Sequence, residues 1–142
     1  MEEKIARGSC HCGKVCYEMD IPFKFVAHDH CSACRRTSSA AFVTWCGVMS
    51  DHFRLVAGEE NLTTYQSSAE ATRKFCSHCG SQLFFRSTRW PGEVHVTFAS
   101  LTSKVKQRPG VHVYYDDRVD WFHFEDHLLK RGGIDGVQPI ED

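Results

Sequence analysis

The chain has 142 residues, of which 42% are hydrophobic, 12% aromatic and 25% charged. At this length that is enough apolar surface for one folded domain with a core, and too much for a disordered chain. Its 17 Lys and Arg stand against 18 Asp and Glu, a formal charge of -1. No basic stripe is visible, which argues against a nucleic-acid partner held through its phosphates.

The opening Met1-Glu2-Glu3-Lys4 is charged, with no apolar run after it, so no secretory signal is expected. The predicted elements then follow in order. Short β-branched and aromatic runs, separated by turn signals, occur at Val15–Met19, Phe42–Trp45, Phe53–Val56 (closed by Ala57-Gly58) and Leu62–Gln66. Others lie at Gln82–Phe85, Val94–Phe98, Val111–Tyr115 and Val119–Phe124, and each is expected to be a strand. A single short helix is expected over Ser32–Ser38. The longest apolar stretch, Ala40 to Met49, is far short of the roughly 20 residues that span a bilayer, so no membrane span is expected. The pattern is mainly β, with small twisted antiparallel sheets. Residues 1–131 form one expected domain, and residues 132–142, opening on Gly132-Gly133-Ile134-Asp135-Gly136, read as a flexible tail.

Eight cysteines need a use. Six fall in pairs at chelating spacing: Cys10-His11-Cys12, Cys31-Ser32-Ala33-Cys34 and Cys76-Ser77-His78-Cys79. Two thiolates that close together converge on one ion from a tight turn, and Gly80 after Cys79 tolerates the positive φ such a turn requires. As disulfides the same pairs would close small strained loops, and nothing suggests an oxidising compartment; reduced thiols in the cytoplasm are expected. Two pairs make a tetrahedral zinc site, although spacing alone does not fix which two. If Cys10 and Cys12 share an ion with Cys76 and Cys79, it ties the start of the chain to its middle and is structural. The pair Cys31 and Cys34 then has an incomplete shell, as a zinc that must accept a substrate would. Cys16 and Cys46 lie inside strand-like runs and are expected to be small buried hydrophobes. His11 and His78 are expected to be exposed spacers.

These motifs resemble the glutathione-dependent formaldehyde-activating enzymes, whose domain is shared with centromere-protein-V-like proteins. The resemblance is carried by Gly8-Ser9-Cys10-His11-Cys12-Gly13 with Tyr17 after it, by Cys31, Cys34 and Arg35, and by Phe75-Cys76-Ser77-His78-Cys79-Gly80-Ser81-Gln82-Leu83. Pro109, His112, Val113 and Trp121 follow the family's closing pattern. The resemblance implies an Mss4-like fold stapled by a structural zinc on Cys10, Cys12, Cys76 and Cys79. It also implies a second, catalytic zinc on the family's C-x-C-x-x-C motif, where glutathione meets formaldehyde and S-hydroxymethylglutathione forms.

At the first position of that second motif this chain has Asp29 instead of cysteine. A carboxylate binds zinc and keeps the negative charge of a thiolate, so the expected ligand set is Asp29, Cys31 and Cys34. His28 and His30 flank Asp29 and could substitute through an imidazole nitrogen, while Asp29 could instead cap the short helix. Arg35 and Arg36 are the expected substrate-binding guanidinium groups for the carboxylates of glutathione, and His30 is a candidate proton donor to the nascent alkoxide. The expected activity is that of a zinc-dependent carbon–sulfur lyase joining a small-molecule thiol such as glutathione to an aldehyde. A zinc-stapled β binding module without catalysis is the alternative.

Overall fold

The computed structural model describes residues 4–140. Among the described residues twelve strands are formed: β1 (Ile5–Ser9), β2 (Cys16–Asp20), β3 (Phe25–Asp29), β4 (Val43–Met49), β5 (Phe53–Ala57), β6 (Leu62–Gln66), β7 (Ala71–Cys76), β8 (Gln82–Ser87), β9 (Glu93–Thr97), β10 (Val111–Val113), β11 (Leu129–Gly132) and β12 (Gln138–Pro139). One α-helix, α1 (Ser32–Ser38), has the predicted boundaries. The protein is therefore mainly β, as its composition and runs indicate. Among the described residues no helix is long and apolar enough to cross a membrane.

The chain divides into two compact units, with the division inside β4. The first comprises the segment ending at Lys24 together with Cys46–Gln107. In it β1, β2 and β5 form an antiparallel sheet, with Gly8 opposite Tyr17 and Met19 opposite both Ala6 and Phe53. Strands β6 to β9 form an antiparallel run in the order β9-β8-β7-β6. Alternation does the sorting: Tyr17 and Met19 of β2 and Val94 and Val96 of β9 point inward and are buried. Tyr17 is the hinge of this core. Its ring meets Phe84 edge to face at 5.3 Å, and its hydroxyl pairs with Ser100 Oγ at 2.6 Å.

The second unit comprises Phe25–Trp45 and Arg108–Asp142. Here the pairing is mixed instead of purely antiparallel. β10 lies parallel to both β3 and β11, in the order β12-β11-β10-β3, and β12 returns antiparallel to β11. A parallel pair needs a long crossover, and the chain between Asp29 and Val111 supplies one. The register sets His112 beside His28 and Val113 beside Asp29, and His30 N–H donates to Val113 O at 3.0 Å.

No strand is expected from the sequence at β1, β3, β7, β11 or β12, and one is expected at Val119–Phe124. Val119–Phe124 is not a strand; Phe122 and Phe124 pack against other rings, and Trp121 is exposed. Phe124 lies 5.0 Å from Phe42 and 4.5 Å from His112, centroid to centroid. Within the residues assigned to a tail, Gln138 and Pro139 pair with Gly132 and Arg131, and Tyr114 N–H donates to Gly136 O at 2.9 Å. Glu141 and Asp142 of that segment lie outside the described residues, as do Met1, Glu2 and Glu3 of the chain's start.

A Cβ added at Gly8 would collide with the Tyr17 ring, which is buried and fixed by its hydroxyl. Gly8→Ala is therefore expected to cost about 1–3 kcal/mol, read as a lower midpoint in chemical denaturation against the parent protein.

Candidate metal centres

Two groups of donors converge. The first belongs to the first unit: Cys10, Cys12, Cys76 and Cys79, whose sulfurs all lie within 4.8 Å of one another. Two turns build it. After β1, Gly13 takes φ 80° and its N–H donates to Cys10 O at 3.1 Å. After β7, Gly80 takes φ 81° and its N–H donates to Cys76 O at 2.7 Å. Each glycine supplies a left-handed conformation that a side chain would resist. Ser81 links the turns, its hydroxyl accepting from His11 N–H at 3.0 Å and lying 3.3 Å from Cys79 Sγ.

Sulfur separations of 3.5 Å (Cys10 to Cys12) and 3.8 Å (Cys12 to Cys76) approach the edge of about 3.8 Å that Zn–S bonds of about 2.3 Å give in a tetrahedron. The electrostatics point the same way. Hydrogen bonds from the Ser81 side chain, then from the Ser81 and Cys12 backbone, draw the Cys79 thiol down to about 5. The Lys14 backbone favours a thiolate at Cys12, but desolvation and the crowding of Cys10, Cys79 and Cys76 outweigh it and push that thiol up to about 12. Neighbouring acids driven apart in this way are a cluster whose anions repel, and a divalent cation removes the conflict. The residues fit a structural metal ion. Cys10 and Cys76 are buried, while Cys12 is exposed and Cys79 half-buried.

The second group, in the second unit, is Asp29, Cys31 and Cys34, with donor atoms within 4.8 Å of one another. Asp29 ends β3, Cys31 is the N-cap of α1, and Cys34 is one turn in. Asp29 Oδ1 accepts from Cys31 N–H at 2.9 Å, its Oδ2 faces Cys34 Sγ at 3.5 Å, and Cys31 Sγ accepts from Cys34 N–H at 3.2 Å. One carboxylate and two thiols on so short a segment suit a divalent ion with a coordination position to spare.

Neither flanking histidine joins this group. His28 Nδ1 pairs with Thr44 Oγ1 at 2.8 Å, and His30 Nε2 pairs with His112 Nδ1 at 2.9 Å. His112 Nε2 in turn reaches Asp126 Oδ2 at 2.9 Å. Burial, then the nearby His112 and His28, hold His30 down to about 4, so it is neutral near pH 7. Burial would raise the Asp126 carboxyl, but bonds from His112 and the Leu128 N–H overcome it and keep the group below its ordinary value.

The sequence is similar to known proteins along most of its length. Residues 5–117 match the model of the family described as glutathione-dependent formaldehyde-activating enzyme. The chain belongs to that family. A Halomonas elongata protein provisionally named glutathione-dependent formaldehyde-activating enzyme is 30% identical over 135 residues, covering 89% of this chain and 85% of its own. An uncharacterized lyase of Schizosaccharomyces pombe is 31% identical over 81 residues, 57% of each chain. A solved Rhodobacter sphaeroides structure is similar with a TM-score of 0.60 and 31% identity, covering 70% of this chain and 91% of that one. These relatives support an enzyme.

Within this family member, Arg35 follows Cys34 on α1 and donates from Nε to His30 O at 3.3 Å, whereas Arg36 is exposed in the last turn. His11 and His78 are exposed. Cys46 is fully buried, and burial pushes its thiol up to about 12; Cys16 is half-buried, with Sγ 3.3 Å from Gly13 O. Sequence reasoning missed Asp126 and Arg118, and found no task for His112. Arg118 stacks its guanidinium on Tyr115 at 4.2 Å. Nothing in local spacing joins these residues to His30; the parallel register of β10 on β3 does.

Cys76 is wholly buried, its N–H donating to Ser81 O at 3.0 Å and its sulfur lying within the four-thiol group. Cys76→Ser is expected to lower the thermal midpoint sharply, and to make the variant insensitive to a chelator that destabilises the parent protein. Thermal melts with and without chelator check both.

Proposed function

We propose that the protein is a zinc-dependent carbon–sulfur lyase that forms and cleaves the adduct of a small thiol with an aldehyde, glutathione and formaldehyde being the pair its family indicates. The observation that carries this reading is the convergence of Asp29, Cys31 and Cys34 at the position of the family's second cysteine motif. In this reading Cys10, Cys12, Cys76 and Cys79 hold a structural zinc and Asp29, Cys31 and Cys34 a second one. When bound there, zinc would favour the thiolate form of an incoming thiol at neutral pH. The setting proposed for these thiols is a reducing, cytoplasmic one.

The chain's own residues do the positioning. The Cys31 N–H fixes the Asp29 carboxylate, and the N–H of Cys34 fixes the Cys31 sulfur, so the three donors are oriented before any ion arrives. The two carboxylates of glutathione need cationic partners. Arg35 is anchored beside His30 by its Nε, which leaves its terminal nitrogens to meet one of them, and Arg36 and Arg118 are exposed cations of the same unit. The net change is addition of S–H across a carbonyl: a carbon–sulfur bond forms, and the thiol proton ends on the former carbonyl oxygen. No electrons change hands.

Elemental analysis of tag-free protein is expected to give about two zinc ions per chain, and Cys34→Ser about one with the fold retained by circular dichroism. Exchange spectroscopy of glutathione and formaldehyde should show faster interconversion with the parent protein than with Cys34→Ser. A metal content fixed near one with no acceleration would sink the enzyme reading. Arg35→Ala is expected to raise KM for glutathione by about tenfold or more, measured by the same exchange method across thiol concentration.

A further inference from the structure

We propose that the protein forms a two-fold dimer in which the open edge of β6 pairs antiparallel with the same edge of a second copy, centred on Thr64. This inference is independent of the function proposed above.

The direction of the backbone groups along β6 follows from its two ends. Ser77 N–H donates to Asn61 O at 2.7 Å before the strand, and Ser67 N–H donates to Ala71 O at 3.1 Å after it. Between them Thr63 stands opposite Phe75 and Tyr65 opposite Arg73. Hydrogen-bonded and non-bonded positions alternate in an antiparallel ladder, so Asn61, Thr63, Tyr65 and Ser67 face β7 with their backbone groups. Those of Leu62, Thr64 and Gln66 point the other way, at the end of the β9-β8-β7-β6 run. Residues Thr63 to Gln66 are exposed, so this edge is open to a partner.

A row of outward amides is a template for pairing, which folded proteins guard with a covering segment, a charge or a proline. The edges of the β1-β2-β5 sheet in the same unit are guarded. Against β1, Gly8 bridges to Leu101 and Thr102 N–H donates to Arg7 O at 2.8 Å. On β5, Arg54 is paired with Asp20 at 2.9 Å. By contrast, Asn61-Leu62-Thr63-Thr64-Tyr65-Gln66-Ser67-Ser68-Ala69 has no charge and no proline, in a chain that is 25% charged.

The edge is complementary to its own reverse, which makes a second copy the occupant. With Thr64 opposite Thr64, Leu62 falls opposite Gln66 and Thr63 opposite Tyr65. Thr64 N–H of each copy then donates to Thr64 O of the other, and Gln66 N–H of each to Leu62 O of the other. The Leu62 N–H is not required, being already given to Glu59 O. Thr63 and Tyr65 meet where the Cα atoms approach to about 4.5 Å, and a β-branched side chain against an aromatic is favourable there. Tyr65 is 53% exposed in the single chain. Lys74 lies opposite Thr64 on β7; it would stand three strand spacings from its counterpart, about 14 Å, beyond the screening length of about 8 Å. So short an edge buries less than a standard interface, and the dimer is accordingly weak, with a Kd of about 10–100 µM.

The test is analytical ultracentrifugation of the full chain supplied with zinc, from about 5 µM to about 500 µM, which brackets that constant. The parent is expected to pass from monomer toward dimer across the range, and amide hydrogen exchange at Thr64 and Gln66, not at Thr63 and Tyr65, to slow as concentration rises. Thr64→Pro removes an outward N–H and leaves the β7 ladder whole, while Thr64→Lys sets two lysines face to face on the two-fold axis. Each is expected to weaken association about tenfold or more, with the circular dichroism of the parent. Fluorescently labelled Thr64→Lys should sediment as a dimer again when mixed with Thr64→Glu, since the lysine then meets a carboxylate. A parent that stays monomeric at the highest concentration would overturn the proposal. So would a dimer that survives both variants, whose interface must lie elsewhere. Loss of the dimer in both variants with no recovery in the mixture would overturn the pairing of Thr64 with itself.

Discussion

Four thiols drawn into a space where every sulfur lies within 4.8 Å of the others cannot all ionise unless positive charge stands among them. The rest of the first unit is arranged around that constraint. Cys10 and Cys12 follow β1, Cys76 ends β7 and Cys79 lies in the turn before β8, so the group joins segments that the order of strands alone would leave separate. Hydrogen bonds from Ser81 draw the Cys79 thiol down, while desolvation and the neighbouring thiols outweigh the Lys14 backbone and push Cys12 up. A bound cation turns this from a cost into a tether, which matters in a chain whose strands are short and whose sheets are small.

The second unit solves a different problem. Parallel pairing of β10 with β3 brings His112 to His30, and the ladder from Asp126 through His112 to His30 is a line of polar groups inside a shell of aromatic rings. Such a line is tolerable only if nearly every member is paired. All the links are made except the last nitrogen.

Much of this was legible in the sequence, for physical reasons that differ from element to element. The helix over Ser32–Ser38 and the strand over Leu62–Gln66 are local in origin, one opened by its cap and the other bounded by turns, and both match the structure. The chelating cysteine pairs were readable because chelation demands short spacings and a glycine at the turn, while the grouping of Cys10 and Cys12 with Cys76 and Cys79 was implied by the family resemblance. Asp29 was readable only against a family motif. What escaped depends on distant partners: β3 is made by pairing, the run Val119–Phe124 packs Phe122 and Phe124 against other rings instead of forming a ladder, and Asp126 acquires its meaning from a histidine fourteen positions earlier in the chain, at an offset no motif encodes.

One sulfur in the second unit serves two purposes. Cys31 Sγ is a donor of the candidate ion site and also the acceptor that caps α1. A seven-residue helix is too short to persist on propensity alone, so its cap weighs heavily in its folding. Arg35 and Arg36 lie in its last turn. Alkylation or oxidation of that single thiol would thus fray the helix as well as remove a donor, and the Arg35 guanidinium would lose its fixed direction with it. Chemical damage at one atom would be felt as a loss of anion recognition a turn away.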